Sequence, residues 1–318
     1  MNYLVTAIGS MSAEAVISRL ALIPNATVIG CNIYPASWTP ASRLVDRFYQ
    51  VPIAHDEAAY IARLLEICKN EQISHVIVLT DPEVDILSNN SEMFSTAGIV
   101  LCISPKHAVH IARDKLSVYQ CFSRHPRIHP IATADLQELE SIKFPWPLIA
   151  KPRRGRSSEE QVLITDITAL QHYRRQLAER DYIIQPFHSG DVVVVDVVRE
   201  PHTPPVAMAR LELLRTVNGA GQTVHMQPEH PCATLAIEVA EVLELRGCIN
   251  IEFLIVDGIP LLMDVNPRFS AGVIFSIMAG YDMVTNHLRC FNTEKIAPCS
   301  PTPDVIYTRG YIEYSLQD

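Results

Sequence analysis

Glu252, Asp264 and Asn266 stand in the apolar run INIEFLIVDGIPLLMDVNPRF, with Arg268 two residues beyond the last of them. Carboxylate and amide oxygens are the donors that a hard magnesium ion takes alongside phosphate oxygens, so this set suits a magnesium–phosphate site. An acid in the middle of an apolar strand is costly to bury unless it is paired or bound to a metal. The alternative is a pair of acids on the solvated face of a sheet. Asp257-Gly258 between two apolar segments predicts a hairpin of residues 249–256 and 260–265. Its register separates the two readings. A two-residue Asp-Gly turn with regular pairing sets Val256 against Ile259 and Glu252 against Met263, which sends Asp264 to the other face. A three-residue loop, or an equivalent bulge, sets Glu252 beside Asp264. Shared metal binding requires the second geometry.

The elements that must hold this hairpin follow from the patterning around it. Up to residue 104, strand-like runs at 3–8, 27–33, 75–80 and 98–103 alternate with helical patterns after Ser12, over 57–69 and from Pro82. Such alternation predicts a parallel, Rossmann-like sheet. Its first turn, AIGSMSA, has a single glycine where a dinucleotide site needs G-x-G-x-x-G. Position 32 is Asn, not the acid that would hold a ribose, so a nicotinamide dehydrogenase is disfavoured. The helix start after Gly9 remains open to a small anion such as a carboxylate, or to plain turn chemistry. From residue 105 the pattern changes to a helix over 107–121, strands at 147–152, 162–165 and 181–186, and a helix over 170–177. The nearly pure valine run 192–198 predicts a central strand, followed by extended segments at 207–214 and 224–226 and a helix over 234–244.

The bulk composition narrows the class. Among 318 residues, 35 Asp and Glu outweigh 26 Lys and Arg, which argues against a nucleic-acid or anionic-membrane binder. No apolar stretch reaches the length of a membrane span, and the first residues lack the basic start and cleavage pattern of a signal peptide. The eight cysteines, without a C-x-x-C pair, argue against zinc and disulfides and favour a reducing cytoplasm.

Asp264-x-Asn266-Pro267-Arg268, with Glu252 twelve residues before Asp264, resembles the metal-binding end of the ATP-grasp superfamily. The nearest match is its carbamoyl-phosphate-synthetase-like branch, which includes many carboxylate–amine ligases. That family usually has Glu at the second acidic position; Asp264 keeps the charge on a shorter stem. Other blocks fall in family order. RFYQVP from Arg47 and TDPE from Thr80 resemble the pre-grasp domain, and Arg113-Asp114-Lys115 resembles the opening of the first grasp lobe. IAKP from Ile149 resembles its nucleotide-binding strand, and IQPF from Ile184 the interlobe hinge.

The resemblance implies an α/β chain, α+β in its grasp lobes. A Rossmann-like pre-grasp domain would span 1–104, a first lobe with the nucleotide-binding strand and lid 105–187, and a metal-binding, catalytic lobe 188–318. It implies ATP with magnesium, or manganese in its place. Lys115 and Lys151 would neutralise the phosphates, backbone groups around Gln185 and Phe187 would hold the adenine edge, and Asp191 would take the ribose hydroxyls. Glu252, Asp264 and Asn266 would hold the metal, and Arg268, with Arg215, would face the transferring phosphoryl group. The lid departs from the family pattern: KPRRGRSSEEQV keeps one glycine, Gly155, so Ser157 and Ser158 with Arg153, Arg154 and Arg156 would contact phosphate through side chains. The implied activity activates a small carboxylate as an acyl-phosphate and joins it to an amine. A carbamoyl-phosphate-type phosphorylating enzyme and an ATP-binding, non-catalytic relative stay open beside it. Partners would be small molecules, with neither nucleic acid nor membrane, and the family suggests a homodimer.

Overall fold

The alternating first hundred residues close into one parallel sheet in the computed structural model, which describes residues 1–138, 144–155, 159–300, 302 and 304–315. Strands β1 (Asn2–Val5), β2 (Thr27–Asn32), β3 (Arg47–Gln50), β4 (His75–Ile77) and β5 (Val100–Cys102) run in the order β3-β2-β1-β4-β5. All four pairings are parallel. Alternate side chains of β1 serve opposite cores: Tyr3 and Val5 meet Val16 and Ile17 of the helix Ala13–Leu20, while Leu4 packs with Tyr60 and Leu64 of the helix Glu57–Asn70. Burial on both faces is the reason the inner strands β1, β2 and β4 read as apolar runs. Gly9 has a packing role: a Cβ there would lie 2.8 Å from Asn32 Nδ2. Asn32 is buried and donates to Thr39 Oγ1 at 2.9 Å, a structural task for a position that in a dinucleotide fold would face a ribose.

The remainder forms two sheets built from β6 (His129–Pro130), β7 (Ala134–Asp135), β8 (Leu148–Pro152), β9 (Val162–Ile164), β10 (Tyr182–Pro186), β11 (Asp191–Glu200), β12 (Thr203–Arg215), β13 (Gly221–Met226), β14 (Gly247–Val256), β15 (Ile259–Asn266) and β16 (Ile306–Thr308). The small antiparallel sheet has the order β7-β10-β8-β9, and the large one β16-β13-β12-β11-β14-β15-β6. The valine run of β11 lies at the centre of the large sheet, between β12 and β14, as its lack of polar alternation requires. The segment 105–187 divides between two cores. Ala108, Ala112, Phe122 and Ile128 pack with the large sheet, whereas Ala134, Leu148 and Ile184 belong to the small one.

One expected helix is two. In place of a continuous helix over 107–121, Lys106–Ala112 and Lys115–Phe122 are separated at Arg113-Asp114. Asp114 adopts an extended backbone, and its Oδ1 accepts the amides of Leu116 and Ser117 at 3.0 and 3.1 Å. An acid that bonds to the following amides caps a new helix and does not continue the old one. The break aims three consecutive side chains at four partners. Arg113 goes to Asp81 and Asp85, Asp114 to Arg153, and Lys115 to Asp264.

Candidate active site

The hairpin β14–β15 turns through Asp257 and Gly258, both at positive φ (50° and 80°), which is the two-residue turn that matches strand twist. Val256 therefore pairs with Ile259, Ile255 with Pro260, Leu254 with Leu261 and Phe253 with Leu262. The register then shifts, and Glu252 pairs with Asp264, leaving Met263 as the extra residue. A bulge thus places the two carboxylates directly opposite each other, although the turn alone would have separated them. Asn266 pairs with Asn250 two steps further, and its Nδ2 donates to Asn250 Oδ1 at 2.9 Å.

These groups fit a magnesium ion. Two facing carboxylates and an amide fixed through its nitrogen supply hard oxygens from one strand pair. Among the described residues no group of three or more Asp, Glu, His or Cys side chains gathers as an all-protein cage. Magnesium is usually held by one or two carboxylates with the rest of its shell from phosphate and water, which suits this sparse set. Burial, with the charges of Asp264 and Glu212 adding to it, pushes Glu252 up to about 7 against the pull of Arg215. A cation between the carboxylates would relieve that repulsion.

A cleft of about 280 Å³ opens between the small sheet and the large one, with Glu252 and Asp264 on its wall. Ile131, Ile149 and Leu254 supply an apolar end, and Gln185, Phe187 and His188 line the connection between the sheets. Lys115 Nζ lies 3.4 Å from Asp264 Oδ1 and donates to the Gly155 carbonyl at 3.3 Å. Lys151, on β8, is buried and makes no ion pair among the described residues. Burial, and then the charge of Lys115, lowers its ammonium to about 8 against the pull of Asp264 and Glu252. An anion in the cleft would stabilise the desolvated Lys151 ammonium.

On the other side of the same carboxylates lies a pocket of about 310 Å³ between the large sheet and the N-terminal sheet, reached by Ser10, Asp81, Glu212, Arg268 and Ser270. Its guanidiniums are held. Arg268 donates through Nε and Nη2 to Asp81 at 2.9 and 2.7 Å and lies 3.4 Å from Asn266 Oδ1. Arg210, which is fully buried, pairs with Asp196 at 2.7 Å and donates to Ser270 Oγ at 3.0 Å. Arg215 stands between the two spaces, its Nε 2.6 Å from Glu212 and its Nη2 3.2 Å from Glu252.

The residues singled out in the sequence are distributed as follows. Lys115, Lys151, Gln185, Phe187, Arg215, Glu252 and Asp264 line the first cleft, and Asn266 and Arg268 the second pocket. Asp191 is exposed at the start of β11 and is not among the lining residues, whereas its neighbours His188 and Val192 are. The Phe187 amide is already bonded to the Pro147 carbonyl at 2.9 Å, so an adenine edge would draw on other groups of the connection. Gln185 Nε2 donates to Thr133 Oγ1 at 2.8 Å, a bond that fixes its amide. Ser157, Ser158 and Arg156 lie outside the described residues. Sequence reasoning passed over Glu212, Asn250, Thr133 and the role of Asp81. Glu212 carried the same signal as Glu252, an acid within an apolar strand; burial raises it against the pull of Arg210 and Arg215.

Comparison with known proteins identifies the family and the fold. Residues 4–102 match the PylC-like N-terminal domain, and residues 112–272 match the ATP-grasp domain. The carbamoyl phosphate synthase large chain of Clostridium acetobutylicum is 22% identical over 245 residues, 72% of this chain and 23% of that protein. The arginine-specific large chain of Bacillus subtilis is 20% identical over 268 residues, 80% of this chain and 25% of that protein. The chain thus spans about a quarter of these relatives. The biotin carboxylase domain of Hydrogenobacter thermophilus 2-oxoglutarate carboxylase, solved with MgADP, ADP and bicarbonate, superposes with a TM-score of 0.78 at 12% identity, covering 96% of this chain and 74% of that one. N5-carboxyaminoimidazole synthetase of Staphylococcus aureus with ADP gives a TM-score of 0.73 at 14% identity, covering 96% and 79%. L-amino acid ligase of Bacillus licheniformis gives 0.68 at 16%, covering 91% and 74%.

Proposed function

The chain belongs to the ATP-grasp family, and from that premise we propose that it is an ATP- and magnesium-dependent ligase that activates a small carboxylate as an acyl-phosphate and passes it to an amine. One observation carries the reading: the Met263 bulge sets Glu252 beside Asp264 on the wall of a cleft that also holds Lys115 and Lys151. Magnesium, when held by Glu252, Asp264 and Asn266, would supply charge neutralisation for phosphoryl transfer.

The residues divide the work. Lys151 and Lys115 hold the phosphates, and the apolar end of the cleft takes the base. Glu252, Asp264 and Asn266 would hold the metal, with Ser157 and Ser158 assisting at the phosphates. The carboxylate substrate enters the pocket on the N-terminal side and attacks the γ-phosphate, releasing ADP. The amine then attacks the acyl carbon and phosphate leaves. Arg268 and Arg215 stabilise the charge that spreads over the transferring group. No protein nucleophile is required, because positioning and charge neutralisation carry phosphoryl transfer.

ADP release, screened over pools of amino acids and small carboxylic acids with hydroxylamine as a general amine, tests the reading, with mass spectrometry of the hydroxamate product. ADP release that needs an acid and yields a hydroxamate supports it. The likeness to carbamoyl phosphate synthase large chains favours a second reading, in which bicarbonate or carbamate replaces the organic acid. ADP release that depends on bicarbonate alone would select that one. Binding of MgATP without turnover in any pool would leave a non-catalytic relative.

A further inference from the structure

Asp81 and Arg268 are 187 positions apart in the chain, yet the guanidinium of one lies in a two-bond fork on the carboxylate of the other. Asp81 belongs to the first turn of the helix Asp81–Asn89 beside the N-terminal sheet and is 1% exposed. A second guanidinium, that of Arg113, lies 3.4 Å from Asp81 Oδ1 and bonds Asp85, one turn further along that helix, at 3.1 and 3.3 Å. The result is an alternating series, Arg268–Asp81–Arg113–Asp85, running from the acceptor-side pocket back through the interface. A fork of two charge-assisted bonds fixes the plane of a guanidinium as well as its place. A buried ion pair is weak evidence for a stability role, since well-packed apolar residues often serve as well. Its position at the pocket, against Asn266 Oδ1 on one side and the Phe269 carbonyl at 3.0 Å on the other, points to orientation instead.

We propose that Asp81, seated by Arg113, is the positioning residue of Arg268, so that the N-terminal sheet aims the guanidinium that faces the transferring phosphoryl group. The proposal rests on the reading of Arg268 given above. Without Asp81, Arg268 keeps its charge but loses its fixed plane, and a misplacement of about 1 Å near reacting groups can cost about 100-fold in rate.

The test uses the full chain, with turnover read as ADP release in the acid and hydroxylamine mixture. Asp81→Asn is expected to lower kcat by about 100-fold while MgATP affinity, measured by calorimetry, stays within about twofold of wild type. Adding it to Arg268→Ala should cost nothing further, because the positioned group is gone. Wild-type turnover in Asp81→Asn, or losses that multiply in the double variant, would overturn the proposal. A merely structural defect would instead lower the fraction of chains that bind MgATP. Should Asp81→Asn fail to fold, Arg113→Lys replaces it, with the same split between kcat and affinity at about tenfold. Phenylglyoxal mapping by mass spectrometry needs no turnover. Arg268 should label faster in either variant, with arginines away from the series unchanged, and equal labelling of Arg268 would count against the proposal. Full turnover in Arg268→Ala removes the reading of Arg268. A dead Arg268→Ala beside an unimpaired Asp81→Asn removes only the role of Asp81.

Discussion

The two spaces on either side of Glu252 and Asp264 are charged in different ways. Toward the small sheet the cleft holds two lysines, with Arg215 at the boundary between the two spaces: Lys151 has no ion-pair partner among the described residues, and Lys115 shares Asp264. Toward the N-terminal sheet the cations are arginines, each already committed, Arg268 to Asp81 and Arg210 to Asp196. An ammonium is a compact charge on a flexible stem that can follow a phosphate, whereas a guanidinium held in a fork is a directed group with a set plane. The contrast teaches that the lysine side is arranged to accept charge and the arginine side to orient it. Affinity for MgATP should therefore be governed by the first, and turnover by the second.

Glu252→Gln tests what both sides share, and its effect should be the largest. Loss of about 1,000-fold in ADP release is expected, with no rescue by added magnesium; a variant within tenfold of wild type would detach the carboxylate pair from the chemistry. Lys151→Met should break only the lysine side, weakening MgATP binding by about 10- to 100-fold in calorimetry. Arg268→Ala should leave that affinity within about threefold, and the comparison fails if the two variants behave alike.

The same lysine gives a pH signature. With its ammonium lowered to about 8 by burial and Lys115, Lys151 is largely neutral in the free protein above that pH, and it must take up a proton to meet phosphate. MgATP affinity should fall by up to about tenfold per pH unit above 8, with proton uptake on binding. Lys151→Met should flatten that slope. The arginine side answers at the acid end. Burial alone would raise Asp81, but Arg268 and Arg113 outweigh it and hold the carboxylate down to about 2. A depressed folded value gives stability that is present above the unfolded value near 4 and lost as pH falls through about 2, on the order of 2 kcal/mol. Chemical denaturation at pH 5 and pH 2.5 should show this loss in the wild type and a smaller one in Asp81→Asn.

Much of the site was legible because its signals are local. Glu252, Asp264 and Asn266 announce themselves as oxygen donors in an apolar hairpin, and Asp257-Gly258 fixes where that hairpin turns. Strand and helix periods gave the parallel N-terminal sheet, and the valine run gave the central strand β11. What failed was also local in origin. The helix over 107–121 has unbroken apolar spacing, yet Asp114 stops it by capping the next one, and periodicity carries no trace of that competition. Glu212 was passed over although it met the criterion that singled out Glu252.

By itself the sequence determined which groups could bind metal and phosphate, since that depends on residue type and on neighbours a few positions away. It left the carboxylates three geometries: a regular two-residue turn with the pair on opposite faces, a three-residue loop, or a bulge. Only the tertiary structure decided between these, because the bulge at Met263 keeps Leu262 and Val265 in one core while Asp264 and Asn266 face the pocket, which the turn alone does not encode. Only the tertiary structure joined Asp81 to Arg268, a pairing between distant segments that no local pattern encodes. Burial then set the character of each group: Lys151 is enclosed without an ion-pair partner among the described residues, while Arg268 is held in its fork on the buried Asp81.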